Sequence, residues 1–126
     1  MAATMIAGLL VATAVPAMAG DAAPANGSIV GDWRTRTDGI AQTITFDSDG
    51  KVYGDAGCNR FTGGYTVKKN GTLKIGPLAS TMMFCEGKMD AEQIFLTKLQ
   101  AAVGYQATDA RLKIFTAKDV MVFRAA

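Results

Sequence analysis

Histidine is missing from all 126 residues. That absence removes the side chain that most often serves as a general base near neutral pH and most often ligates transition metals. Triads of the Ser-His-Asp or Cys-His type are excluded with it. Cysteine is nearly absent too. Cys58 and Cys85 are the 2 in the chain, too few for a four-cysteine zinc site. They are not arranged as the Cys-x-x-Cys of a redox motif. Charge of one sign is never concentrated along the chain. The 13 Lys+Arg and 11 Asp+Glu residues leave a net charge of +2, and no basic run exceeds the Lys68-Lys69 pair. Nucleic-acid binders gather positive charge on one face or helix, so no nucleic-acid partner is expected. No metal and no other cofactor is expected either.

What is there suits a folded domain. Hydrophobic residues make up 49% and charged residues 19%, a balance that can build a core and is unlike that of disordered chains. The length predicts one domain.

Met1 to Ala19 carries no charged side chain. Ile6-Ala7-Gly8-Leu9-Leu10-Val11-Ala12 reads as the apolar centre of a signal peptide, Pro16 as a helix breaker, and Ala17-Met18-Ala19 as a small-x-small cleavage motif. Cleavage is expected before Gly20, with the mature chain in the periplasm. No cysteine stands near that point, so a lipoprotein is not expected. Residues 20–28, small and polar, read as a flexible leader. A single domain is expected over residues 29–126.

That domain reads as strands joined by tight turns. Ile29–Arg34 is a first strand anchored by Trp33, the one tryptophan. Gln42–Phe46 alternates polar and apolar, Asp47-Ser48-Asp49-Gly50 is a turn, and Lys51–Ala56 returns. The same four turn residues superficially resemble a calcium loop, but glycine comes too early and Cys58 falls where a bidentate glutamate belongs. Phe61–Val67 is a strand in which Gly63-Gly64 permits a bulge or a close backbone approach. Lys68-Lys69-Asn70-Gly71 is a hairpin turn, Thr72–Ile75 the returning strand, Gly76-Pro77 its punctuation, and Leu78–Phe84 a further extended segment. The period then changes. Ala91, Ile94, Phe95, Leu99 and Ala102 recur at helical steps, predicting an amphipathic helix near residues 89–103 that stops at Gly104. Arg111–Phe115 and Val120–Arg124 close the chain as two strands. The class is mainly β, a β-rich α+β, with about six to eight antiparallel strands and one helix over an opening or a face of the curved sheet.

In an exported chain an even cysteine count predicts a Cys58–Cys85 disulfide. It would close a loop of roughly 28 residues and contribute on the order of 3–4 kcal/mol.

Ala56-Gly57-Cys58-Asn59-Arg60-Phe61-Thr62-Gly63 resembles the signature of META/HslJ domains. Leu73-Lys74-Ile75-Gly76-Pro77-Leu78-Ala79-Ser80-Thr81-Met82 is similar to the segment that follows it in that family. Phe84-Cys85 and Glu92-Gln93-Ile94-Phe95-Leu96 correspond to its cysteine and helix, and Gly31 and Trp33 to its start. The resemblance implies an antiparallel, partly open β-barrel with a packed helix. It implies a role in the bacterial envelope, since relatives include heat-shock-associated envelope proteins and resemble pilotins whose barrel holds lipid. It implies no catalytic residues.

Within the motif, Asn59 and Arg60 admit two readings. Arg60 would bind an anion and Asn59 a specificity group, or both are structural. The structural reading is preferred: Gly57 for tight geometry, Asn59 bonding local backbone, Arg60 pairing with a carboxylate. Met82, Met83, Phe84 and Met89 form a soft apolar cluster expected to fill the core, with adaptable apolar contact as the alternative. Carboxylate pairs such as Asp47 with Asp49, or Asp55 with Glu86, exist, but nothing beyond their existence points to hydrolysis. The expectation is a non-catalytic, monomeric envelope protein in stress tolerance or envelope integrity, acting on an unidentified envelope protein or lipid. The alternative is a carrier or sensor of a small apolar ligand inside the barrel.

Overall fold

The computed structural model describes residues 26–126. The expected signal peptide and the first part of the leader lie outside the described residues. Eight strands and one helix follow one another: β1 (Gly31–Thr37), β2 (Ile40–Phe46), β3 (Lys51–Asp55), β4 (Arg60–Val67), β5 (Leu73–Ser80), α1 (Met89–Gln100), β6 (Gly104–Ala107), β7 (Arg111–Phe115) and β8 (Val120–Ala125).

All eight strands form one sheet in the order β5-β4-β3-β2-β1-β8-β7-β6, and every pairing is antiparallel. The first five strands are a meander of hairpins. The last three are a second meander added to the far side of β1. The sheet curls until its edges touch at one end. There Thr72 bridges Gly104, the Leu73 N–H donates to the Val103 carbonyl at 3.2 Å, and the Tyr105 N–H to the Gly71 carbonyl at 2.9 Å. Elsewhere β5 and β6 part, and α1 packs against β5 and β1. The architecture is the expected partly open barrel with one helix.

Alternation dictates which side chains point inward. Ile44 and Phe46 of β2, Val52 of β3, Leu112 and Ile114 of β7 and Phe123 of β8 are all fully buried. Trp33 is buried and its Nε1–H donates to the Ile29 carbonyl at 2.9 Å, satisfying the indole. From the helix side Phe95 meets Phe61 edge-on at 5.8 Å between ring centroids and Phe123 at 6.2 Å. Phe46, Phe95, Phe123, Leu73 and Leu99 thus occupy the interior with their own side chains. An apolar cargo would have to displace them, and this argues against the carrier reading.

Helix α1 follows from its sequence. Ala91, Phe95 and Leu99, at four-residue steps, form the buried stripe. Asp90 and Glu92 in the first turn and Lys98 in the last complement the helix dipole. It ends at Gln100, three residues before the expected end: the Ala102 N–H turns to the Leu99 carbonyl at 3.2 Å, and the Val103 N–H to the Phe115 carbonyl at 2.8 Å as the chain enters β6.

Four further expectations need correction. Gly76-Pro77 does not end a strand. The bond between them is cis, and β5 runs through from Leu73 to Ser80. Gly104 does not merely stop the helix, because it opens β6. Ile94 is 40% exposed, and Glu92 takes the expected buried place beside Phe95. The leader gains partners before Ile29: Asn26 donates to the Tyr105 carbonyl at 2.8 Å and accepts from the Ala107 N–H at 2.6 Å, and the Gly27 N–H donates to the Ala107 carbonyl.

Candidate functional site

The motif residues gather where the β3–β4 turn, the β5–α1 loop and the first turn of α1 meet. Cys58 and Cys85 are joined, with sulfurs 1.99 Å and Cα atoms 5.8 Å apart. Gly57 precedes the bridge with φ +119°, in the region that favours glycine. A Cβ there would also lie 2.7 Å from the Ile40 side chain.

Asn59 is buried, and its amide uses both ends. Its Oδ1 accepts from the Thr81 hydroxyl at 2.7 Å and the Met83 N–H at 2.7 Å. Its Nδ2 donates to the Met83 carbonyl at 2.9 Å and to Glu92 Oε2 at 2.7 Å. These partners lie 22 to 33 positions away, so Asn59 binds a distant loop rather than the local backbone expected of it. Every hydrogen bond of its amide is internal to the protein.

Glu92 receives the other half of this network. It is 5% exposed, and its Oε1 accepts the N–H groups of Cys58 at 3.0 Å and Asn59 at 2.6 Å. Burial pushes its carboxyl up, but the Asn59 side-chain amide and the backbone N–H groups of Asn59 and Cys58 outweigh burial. The net effect holds it below the ordinary glutamate value. A second buried polar group ties the same corner together. Gln42 Nε2 donates to the carbonyls of Ala56 at 2.9 Å and Ala91 at 3.2 Å, and its Oε1 accepts from the Thr37 hydroxyl at 2.6 Å. Among the described residues no buried side-chain nitrogen or oxygen lacks a partner.

Arg60 is exposed. Asp55 stands directly opposite it in the β3–β4 register, yet the two make no ion pair. Among the described residues the one ion pair joins Lys98 and Asp119 at 3.8 Å. Asp55 instead accepts the Gly57 N–H at 2.8 Å. The expected carboxylate pairing of Arg60 is therefore not made. Its backbone and Thr81 exchange hydrogen bonds, tethering the start of the β5–α1 loop.

The apolar cluster departs most from expectation. Met82 is 91% exposed, Phe84 78% and Met83 56%. They fill no core; Met89 alone of the four is half-buried, beside Cys85. The loop is nonetheless held. Both backbone polar groups of Met83 are bound by Asn59, Thr81 is bound by Asn59 and Arg60, and Cys85 is covalently fixed. Three exposed apolar side chains are thus presented on a tethered backbone.

Gly76 and Pro77 lie elsewhere, in mid-β5. There Gln100 Oε1 accepts the Leu78 N–H at 3.1 Å and links the strand to the end of α1. Leu78 pairs with Gly63, where the register of β4 shifts, and a Cβ on Gly63 would lie 2.6 Å from the Pro77 carbonyl oxygen. The bulge and the close approach expected of Gly63-Gly64 both occur there. Sequence reasoning assigned no role to Gln42 or to the Glu92 carboxylate, because their partners are set by the fold.

The META domain model matches residues 28–126. The chain belongs to the META domain family. No functionally curated protein matches it. Solved structures agree with the META architecture. A protein from Burkholderia xenovorans determined by NMR is 21% identical, with a TM-score of 0.59, covering 89% of this chain and 99% of its own. A second NMR structure is 22% identical over 75% of this chain and 87% of its own, with a TM-score of 0.58. A duf4847 family protein from Bacteroides vulgatus is 20% identical over 68% of this chain and 59% of its own, with a TM-score of 0.53. At these identities the likeness is one of fold.

Proposed function

We propose that this META domain is an exported, non-catalytic binding protein of the bacterial envelope. Its role is stress tolerance or envelope integrity, exercised by docking the Met82-Met83-Phe84 loop into an apolar groove of a protein partner. The observation that carries the reading is the exposure of these three side chains on a backbone fixed by Asn59 and by the disulfide. A preordered loop loses less entropy on binding. Methionine adapts to irregular apolar surfaces, and exposed contiguous apolar groups mark interaction sites. The disulfide fits an oxidising compartment such as the periplasm. The deeply buried carboxylate, Glu92, is held by three N–H donors as a structural acceptor rather than poised for proton transfer.

The test is complementation. A strain lacking the gene should show raised envelope permeability and drug sensitivity, restored by the wild-type chain. A Met82→Ser/Met83→Ser/Phe84→Ser chain, exported at an equal level, should fail to restore them. An unchanged deletion strain, or full rescue by the triple variant, overturns the reading.

A further inference from the structure

Four arginines from three strands, Arg34 and Arg36 of β1, Arg111 of β7 and Arg124 of β8, converge on the outer face of the barrel. In the strand register Arg34 of β1 stands directly opposite Arg124 of β8, and Arg124 stands directly opposite Arg111 of β7. All three are exposed. Neighbouring strands lie about 4.7–4.9 Å apart, so the row is roughly 10 Å long. Arg36, two residues along β1, adds a fourth positive charge on the same face.

Like charges directly opposite one another destabilise a sheet. No carboxylate of the described residues forms an ion pair with this set; the one ion pair is Lys98–Asp119, between α1 and the β7–β8 turn. Asp38 and Asp109 stand in turns at the strand ends, two positions from Arg36 and Arg111, and the strand carboxylates Asp32 and Asp55 make other hydrogen bonds. Asp32 accepts from the Thr45 hydroxyl at 2.8 Å, and Asp55 from the Gly57 N–H. Of the four guanidinium groups, Arg36 makes a hydrogen bond, to the Gly39 carbonyl at 2.8 Å. The four arginines line a concavity of about 590 Å³ with Thr43 and Val122.

We propose that this row is an anion site for a compact ligand carrying two or more phosphate groups. Guanidinium stays charged at any accessible pH, is weakly hydrated, and presents a rigid fork of donors that matches phosphate oxygens bidentately. The concavity is within the size range of small-ligand sites. Its lining holds no aromatic side chain, the platform on which single-stranded nucleic acids stack their bases. A bound polyanion would neutralise a repulsion that the sheet otherwise carries.

The experiment titrates inorganic pyrophosphate into the oxidised protein by calorimetry and follows its melting temperature. Arg34→Gln and Arg124→Gln are compared with the wild type, and Lys74→Gln on distant β5 is the control. Pyrophosphate should bind the wild type and raise its melting temperature. Each arginine variant should bind about tenfold or more weakly, and Lys74→Gln should match the wild type. Without ligand at low salt, Arg124→Gln should melt above the wild type. Vesicles of phosphatidylcholine with about one third cardiolipin, whose headgroup carries two phosphates, separate the two sources of phosphate. Binding to them that is lost in the same variants places the phosphate on a lipid headgroup. Pyrophosphate binding without vesicle binding places it on a soluble compound. Failure of millimolar pyrophosphate to bind overturns the proposal, as does equal weakening by Lys74→Gln. So does far tighter, arginine-dependent binding of a single-stranded oligonucleotide.

Discussion

Asn59 grips Glu92 twice. Its backbone N–H lies 2.6 Å from Oε1 and its side-chain amide 2.7 Å from Oε2. Through this pair the first turn of α1 fixes the β3–β4 turn. Through the other face of the same amide, that turn fixes Met83. The order of the exposed apolar loop therefore depends on a buried carboxylate one step removed from it.

Glu92→Gln should destabilise the fold by about 2–4 kcal/mol. A neutral amide cannot accept at both ends: with its oxygen on the Cys58 and Asn59 N–H groups, its NH2 faces the Asn59 side-chain NH2, and two buried donors are left opposed. Asn59→Ala should cost a similar amount, and the two changes together should cost clearly less than their sum, because they break one network. Urea unfolding of the four chains measures this. Simple additivity would mean that the network is not a unit.

The same carboxylate should shape acid stability. The fold holds Glu92 below its ordinary value, so on acidification the unfolded chain takes up a proton first. The contribution is fully present above the ordinary glutamate range and is lost as pH falls through that range and the lowered folded value. Tyr65 works at the other limit. Burial, then the charge of Asp47, then Tyr105, raise its phenol above the usual value, so its contribution is lost as pH rises past the ordinary tyrosine range through the raised one. Unfolding free energies across pH should show both limbs. Glu92→Gln should flatten the acid limb and Tyr65→Phe the alkaline one.

The disulfide should be a large part of the stability. It spans 27 positions, for which the loop-closure estimate is about 3–4 kcal/mol, against the roughly 5–15 kcal/mol of a typical domain. Cys58→Ser/Cys85→Ser should lower the urea midpoint accordingly. Amide exchange in residues 81–88 should rise more than in β7, because the bridge anchors that loop directly. Unchanged protection in the loop would show that Asn59 alone suffices to hold it.

Much of this was legible in the sequence, and the reason is local. β2, β3 and β7 announce themselves because every second residue is buried over most of their length. β6 does not, being four residues beginning with a glycine that also suits a helix end. The disulfide followed from counting. What stayed hidden depends on register and on partners far along the chain. Glu92 looks like an ordinary residue of a helix start until Cys58 and Asn59 are placed against it. Arg34, Arg111 and Arg124 are scattered in a chain of modest net charge, and only the β1–β8–β7 register lines them up. The Met82-Met83-Phe84 run failed as a core prediction because hydrophobicity alone does not say which way a loop faces.

That last point gives the sharpest contrast between two phenylalanines separated by 11 positions of sequence. Phe95 is fully buried between Phe61 and Phe123, and Phe95→Ala should cost about 3–5 kcal/mol through lost burial and the cavity left behind. Phe84 is 78% exposed, and Phe84→Ser should change stability by no more than about 0.5 kcal/mol. Chemical denaturation of both variants checks the pair. If Phe84→Ser were as damaging as Phe95→Ala, the loop would be packed in solution and unavailable to a partner. A neutral Phe84→Ser leaves its side chain with no part in holding the fold, and its effect on envelope permeability can then be read as a loss of contact.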